Sequence, residues 1–211
     1  MFFNLSLHRS ATTSTAQVFR KCNLSVCDWV GWEFEGKHQG LFHYGKEREL
    51  TDAIMSTFPG RDYYGDLPIP LLHTELIKRY PEATYFMVLR DVDSWSESSL
   101  KHCIYTNNHE KNVAPQGITP ANRMMLEYYG MLEEGTQVLL NSEESQQAYE
   151  IWRHLYHKHL ISVFTTANAN KIQLRLYYLS DPALGKKLVQ LASPDIPLGI
   201  AEAYVMDKRH S

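Results

Sequence analysis

Between Pro81 and Arg90 the chain carries Thr84–Leu89, a run of Thr-Tyr-Phe-Met-Val-Leu with no charged position. Successive strand residues point to opposite faces. A strand that is apolar on both faces must be covered on both, as in a parallel sheet sandwiched between helices. The flanks agree with this. Pro68 and Pro70 open a segment in which Leu71, Leu72, Leu76, Ile77 and Tyr80 recur at helical spacing, and Pro81 stops it. After the run, Asp91–Asp93 caps a helix carrying Trp95, Leu100 and Ile104.

The same alternation is legible elsewhere. Phe2–Leu7 reads as a strand, His8–Ser14 as a polar turn and Thr15–Lys21 as a helix. Asn23–Trp29 is a second candidate strand and Ile172–Leu179 a third strong one, followed by a helix over Pro182–Ala192. Helices are expected over Thr119–Glu134 and Glu143–Thr166, a loop over 107–117 and an irregular tail from Ser193. Strands joined by helical crossovers imply an α/β, three-layer, mostly parallel sheet flanked by helices. At 211 residues a single domain is expected, with an aromatic, loop-rich region over about 29–66 that holds one helix, Glu47–Thr57.

Composition narrows the partners. A net charge of −3 argues against general affinity for nucleic acid or acidic membrane. Three cysteines, with Cys22 and Cys27 too far apart for a CxxC pair, read as reduced thiols in a cytoplasmic setting. No apolar stretch is long enough to span a bilayer, and the apolar start is too short for a signal peptide.

In such sheets ligands bind at the carboxyl ends of strands. The two polar stretches that directly follow strong strands are His8–Ser14 and Arg90–Ser99. The first offers Arg9, the small Ala11 and several hydroxyls before a helix, whose N-terminus attracts phosphate. It lacks the glycines and lysine of GxxxxGK[ST], which disfavours a magnesium-dependent nucleoside triphosphatase. In the second, Arg90 stands at a strand end, where it can reach a phosphate. Ser98, eight residues on, can face the same group. Pairing of Arg90 with Asp91 or Asp93 is the competing reading.

These stretches resemble the sulfotransferase family that uses 3′-phosphoadenosine 5′-phosphosulfate, in its branch of short members. His8–Ser14 resembles the family's 5′-phosphosulfate loop, Pro-Lys/Arg-Ser-Gly-Thr-Thr-Ser. Asp66-Leu-Pro68-Ile-Pro70, with Arg79-Tyr80-Pro81 after it, resembles the branch's DLP segment. Leu89-Arg90-Asp91 with Ser94-Trp95 and Ser98 resembles its 3′-phosphate signature. Leu174–Leu176 to Leu188, with Asp181-Pro182 and Gly185-Lys186, follows its late strand and helix. The similarity covers roughly residues 1–195.

The resemblance implies a P-loop-like sulfotransferase fold and transfer of a sulfuryl group from that donor to an acceptor hydroxyl, with its bisphosphate as product and no metal. Arg9 would stabilise charge on the bridging oxygen. Ser10, Ala11, Thr12, Thr13 and Ser14 would cradle the 5′-phosphate, and Arg90 with Ser98 would hold the 3′-phosphate. The chain departs from the pattern at His8 (usually proline) and Ala11 (usually glycine). It also lacks the RKGxxG loop of larger members, which leaves Lys186 or Lys187 to cover the far side of the 3′-phosphate.

Deprotonating the acceptor requires a base. Asp66, favoured by the resemblance, is one candidate, and a helix cap is its bland alternative. His43, His73 and His8 are the others. His154, His157 and His159 suggest a metal only superficially, because His159 does not share a helical face with the other two; they read as a solvated helix. The aromatic residues Trp29, Trp32, Phe34, Phe42, Tyr44, Tyr63 and Tyr64 are either acceptor lining or loop core. In either case the expected partner is a small hydroxyl acceptor with an apolar or ring component. A homodimer stays open. The rival readings are a nucleotide-dependent phosphoryl transferase and a non-catalytic relative that binds nucleotide phosphates.

Overall fold

A computed structural model describes residues 1–109, 120–131 and 146–195, without the side chains of Trp32, 103–109, Pro120 and Gln147. Five strands form one sheet: β1 (Phe2–Asn4), β2 (Val26–Cys27), β3 (Tyr63–Tyr64), β4 (Thr84–Leu89) and β5 (Arg175–Tyr178). Their order is β2-β3-β1-β4-β5 and every pairing is parallel. The sheet is therefore wholly parallel where a mostly parallel one was expected.

The helices are α1 (Thr12–Lys21), α2 (Trp32–Lys37), α3 (Glu47–Thr57), α4 (His73–Arg79), α5 (Val92–His109), α6 (Pro120–Tyr128), α7 (Gln146–Ala169) and α8 (Leu184–Ala192). Strand β4 shows why three layers are needed. Phe86 and Val88 face the cluster built from α1 and α8, with Phe19, Leu184, Leu188 and Val189. Tyr85 and Met87 face the larger cluster built from α4, α5, α6 and α7, with Trp95, Met124 and Trp152. Burial on both faces is what the unbroken apolar run requires.

Three boundaries differ from the sequence reading. Helix α1 begins at Thr12 rather than Thr15, so the hydroxyls of Thr12–Ser14 belong to its first turn. Helix α5 runs on through His109, into the expected loop at 107–117; the rest of that loop and the tail after Asp195 lie outside the described residues. Strand β3 sits between β1 and β2 inside the segment read as loop. Two tyrosines between Gly60 and Gly65 are too short a run to show a period. Gly65 is required there, because a Cβ on it would lie 2.3 Å from the Tyr63 hydroxyl. That hydroxyl accepts a hydrogen bond from Asn4 Nδ2 at 3.0 Å.

The three clustered histidines do not behave alike. His154 and His157 are exposed, whereas His159 is fully buried, which corrects the reading of all three as solvated. His159 Nε2 faces the Leu5 carbonyl at 2.7 Å and Nδ1 faces the Tyr129 hydroxyl at 2.6 Å. The carbonyl can only accept, so Nε2 carries the proton and the Tyr129 O–H donates to Nδ1. By the same logic His73 donates from Nδ1 to the Pro70 carbonyl, 2.9 Å away. Its Nε2 accepts from Ser162 Oγ, 3.0 Å away. Both rings are neutral and fully engaged. Among the described residues no helix is long and apolar enough to cross a membrane.

Candidate active site

Strands β1 and β4 are neighbours, with Asn4 opposite Phe86. The chain leaves β1 toward β2 on one side and leaves β4 toward β5 on the other. This reversal makes the crevice between their carboxyl ends the place where a ligand fits. The two polar stretches singled out in the sequence flank it.

The loop after β1 is held in an unusual backbone. Arg9 has φ +63° and Ala11 φ +59°, both left-handed. Ala11 stands where the resembling family has glycine, and it tolerates a conformation that costs an alanine roughly 1–2 kcal/mol. It is also the residue before α1, and no side chain caps that helix. The first backbone N–H groups of α1 are thus left to an outside acceptor. Ser10 Oγ and Thr15 Oγ1 are buried with no hydrogen-bond partner. Thr12 is buried, Ser14 half-buried and Thr13 exposed. Donors awaiting an acceptor at a positive helix end fit a phosphate.

The second stretch is joined to the first. Arg90 Nη1 donates to the Arg9 carbonyl at 2.9 Å, and Arg9 Nε donates to Ser98 Oγ at 3.0 Å. Arg90 does not take the acidic partners weighed for it. Asp91 accepts from the Ser94 N–H at the start of α5, and Asp93 pairs with Arg153 at 3.4 Å. Burial, and then the Arg9 cation, hold the Arg90 guanidinium below its usual pKa. Two cations that disfavour each other in this way are relieved by an anion between them. The backbone of Arg90 is fixed by Tyr156 of α7, whose hydroxyl lies 3.0 Å from the Arg90 N–H and 2.9 Å from its carbonyl. Nothing in the local sequence marks Tyr156 for this; it lies 66 positions away.

Asp66 follows β3 at the same edge, also left-handed at φ +59°. Its Oδ2 accepts from Thr12 Oγ1 at 3.1 Å and its Oδ1 from the Leu67 N–H at 2.8 Å. The carboxyl is thereby tied to the first residue of α1. Burial pushes its pKa up to about 6 against those two hydrogen bonds, with Asp28 adding to the rise and Arg9 opposing it. Asp66 as a whole residue keeps partial exposure at this carboxyl edge of the sheet.

The other expected bases are placed differently. His43 Nδ1 lies 3.2 Å from Glu127, which also takes Arg123 Nε at 3.1 Å and the Tyr44 N–H at 3.3 Å. It ties the aromatic segment to α6. His73 is engaged in the core, as described. His8, in the family's proline position, packs its ring against Trp95, His102 and Trp152, and its carbonyl accepts from Trp95 Nε1 at 2.7 Å. Burial drives its pKa down to about 3, helped by His102 and Arg9. Lys187 is paired with Asp181 at 2.5 Å. Among the described residues no three His, Cys, Asp or Glu side chains gather as a metal site would need.

A family model described as a sulfotransferase domain matches residues 2–182. The chain belongs to that family. Sulfuryl transfer is the activity that membership carries, and the parallel sheet flanked by helices agrees with the family's P-loop-like fold. Both strand-tip stretches and Asp66 fall inside the matched span. A comparison with curated proteins returned no match.

Proposed function

We propose that this sulfotransferase takes its sulfuryl group from 3′-phosphoadenosine 5′-phosphosulfate and passes it to the hydroxyl of a small acceptor. The observation that carries the reading is the pairing of two anion cradles, at the tips of adjacent strands, through the Arg90–Arg9 hydrogen bond. One cradle is a helix start with unfilled donors; the other is an arginine with a serine eight residues on. Two neighbouring cradles are what one nucleotide carrying two phosphate groups would need. The donor supplies an activated sulfuryl group.

The chain's own residues do the rest. Ser10, Thr12, Thr13 and Ser14, with the free N–H groups of α1, hold the 5′-phosphate. Arg90 and Ser98 hold the 3′-phosphate. Arg9 lies between them and stabilises negative charge on the bridging oxygen as the sulfur–oxygen bond breaks. Asp66 takes the acceptor's hydroxyl proton as the new oxygen–sulfur bond forms. A pKa of about 6 leaves it ionised at neutral pH while keeping it a stronger base than an exposed aspartate.

Calorimetry and isotope transfer test the reading together. The chain should bind 3′-phosphoadenosine 5′-phosphate more tightly than adenylate and should pass sulfur-35 from labelled donor to a hydroxyl acceptor. Arg90→Ala should weaken the bisphosphate about 10- to 100-fold, the range set by ~1.5–3 kcal/mol for a charged hydrogen bond. Adenylate should be nearly unaffected. Equal losses for both nucleotides would remove Arg90 from the 3′-phosphate.

A further inference from the structure

In the aromatic segment Phe34, Phe42, Tyr63 and Tyr64 are buried core, whereas Trp29 and Tyr44 are exposed. Tyr63 joins the segment by a hydrogen bond to the strand that leads into the phosphate loop. Its hydroxyl accepts from Asn4 Nδ2 at 3.0 Å and lies against Gly65, where only glycine leaves room for it. Asp66 is the next residue.

Asn4 has further partners. Its Oδ1 accepts from the Ser6 N–H at 3.0 Å and from Ser6 Oγ at 2.6 Å. Ser6 Oγ in turn accepts from the Val88 N–H at 2.7 Å. A parallel ladder running on past Asn4 would offer Val88 the Leu5 carbonyl, but that oxygen is bonded to His159. The Ser6 hydroxyl takes its place and keeps β4 attached to β1. Asn4, Ser6 and Tyr63 are all buried, and a buried amide needs its partners. The amide carries donor and acceptor on one rigid plane, so a single side chain fixes both neighbours at once.

We propose that Asn4 is a positioning residue of the site, setting the phosphate loop, the Asp66 turn and Arg90 in one fixed relation. This rests on the sulfotransferase reading above and deepens it. Each arm of the network ends two or three residues short of a group assigned to substrate: Ser6 before Arg9, Tyr63 before Asp66 and Val88 before Arg90. Strands β3, β1 and β4 are consecutive in the sheet, and Asn4 stands on the middle one. It therefore links the base on one side of the loop to the 3′-phosphate arginine on the other. Apolar contacts would also hold these strands together, but they are not directional. A satisfied buried network specifies one arrangement.

Amide hydrogen exchange on the full chain, joined to calorimetry, tests this. The Ile69 N–H, which donates to the Asp66 carbonyl at 2.9 Å, reports the Asp66 turn. The Arg90 N–H reports the other arm, and the Leu188 N–H inside α8 is the control. Tyr63→Phe should speed exchange at Ile69 about 10-fold and leave Arg90 within about 2-fold. Ser6→Ala should do the reverse, Asn4→Ala should speed both, and Leu188 should not respond. Ser6→Ala should also weaken 3′-phosphoadenosine 5′-phosphate about 3- to 10-fold and adenylate less than about 2-fold. Should Asn4→Ala fail to fold, the two milder variants decide by their opposed patterns. Equal acceleration at Leu188 would reduce the network to general stability and overturn the proposal, as would an Asn4→Ala variant that quickens neither tip. If the wild type does not prefer the bisphosphate while the exchange pattern holds, the donor reading falls and the network stands.

Discussion

Asp66→Asn should lower turnover about 10²-fold or more, the scale of a general base, and yet make the protein more stable. The two effects have one cause. In the folded chain the carboxyl is desolvated and its pKa lies near 6, against about 3.8 unperturbed. Its protonated form is therefore favoured by folding, and that stability is present below the unfolded value and lost as pH rises through 6. Above 6 the ionised group costs up to about 3 kcal/mol, at 1.36 kcal/mol per pKa unit. Asparagine keeps the acceptor oxygen for the Leu67 N–H, has no charge, and suits the left-handed φ. At pH 8 the variant should melt several degrees higher, the gain should fade near pH 4, and nucleotide affinity should hold. The wild-type rate should rise with pH through about 6, and no such limb should remain in the variant. Full turnover by Asp66→Asn would take the base elsewhere.

Acid should unfold this protein early. His8, His73 and His159 are buried and neutral, with pKa values of about 3, 4 and 3 against 6.5 unperturbed. Burial is the leading cause in each. A depressed pKa means that the unfolded chain takes protons the folded chain refuses. The stability is present above 6.5 and lost as pH falls toward 4. Between pH 6.5 and 5 each histidine forfeits about 1.6 kcal/mol, roughly 5 together, a large share of an ordinary domain's stability. Asp66 runs the other way and returns about 1 kcal/mol over that interval. Denaturant unfolding at pH 7, 6 and 5 should show the decline, and a flat profile would mean that these rings are charged in the fold.

The sequence conveys the frame of this protein better than its detail. The β4 run announced a doubly covered strand because nothing in it could face water. The strand-tip stretches were legible because position after a strand, hydroxyls and arginines all pointed one way. The sheet brings Arg9, Arg90 and Ser98 into one hydrogen-bonded group. Strand β3 was not legible, since two residues carry no period and their pairing depends on distant neighbours. The aromatic residues of 29–66 could not be divided between core and surface, because composition does not tell which ring the fold turns outward. His159 was misjudged for a related reason: its partners are Leu5 and Tyr129, far along the chain.

Helix α7 acts as a spine for the whole carboxyl edge. Along little more than one and a half turns, Tyr156 clasps Arg90, His159 holds the carbonyl of Leu5 just before the phosphate loop, and Ser162 meets His73 beneath the aspartate segment. Removing the His159 ring would unfasten that strand end and slacken the grip on nucleotide.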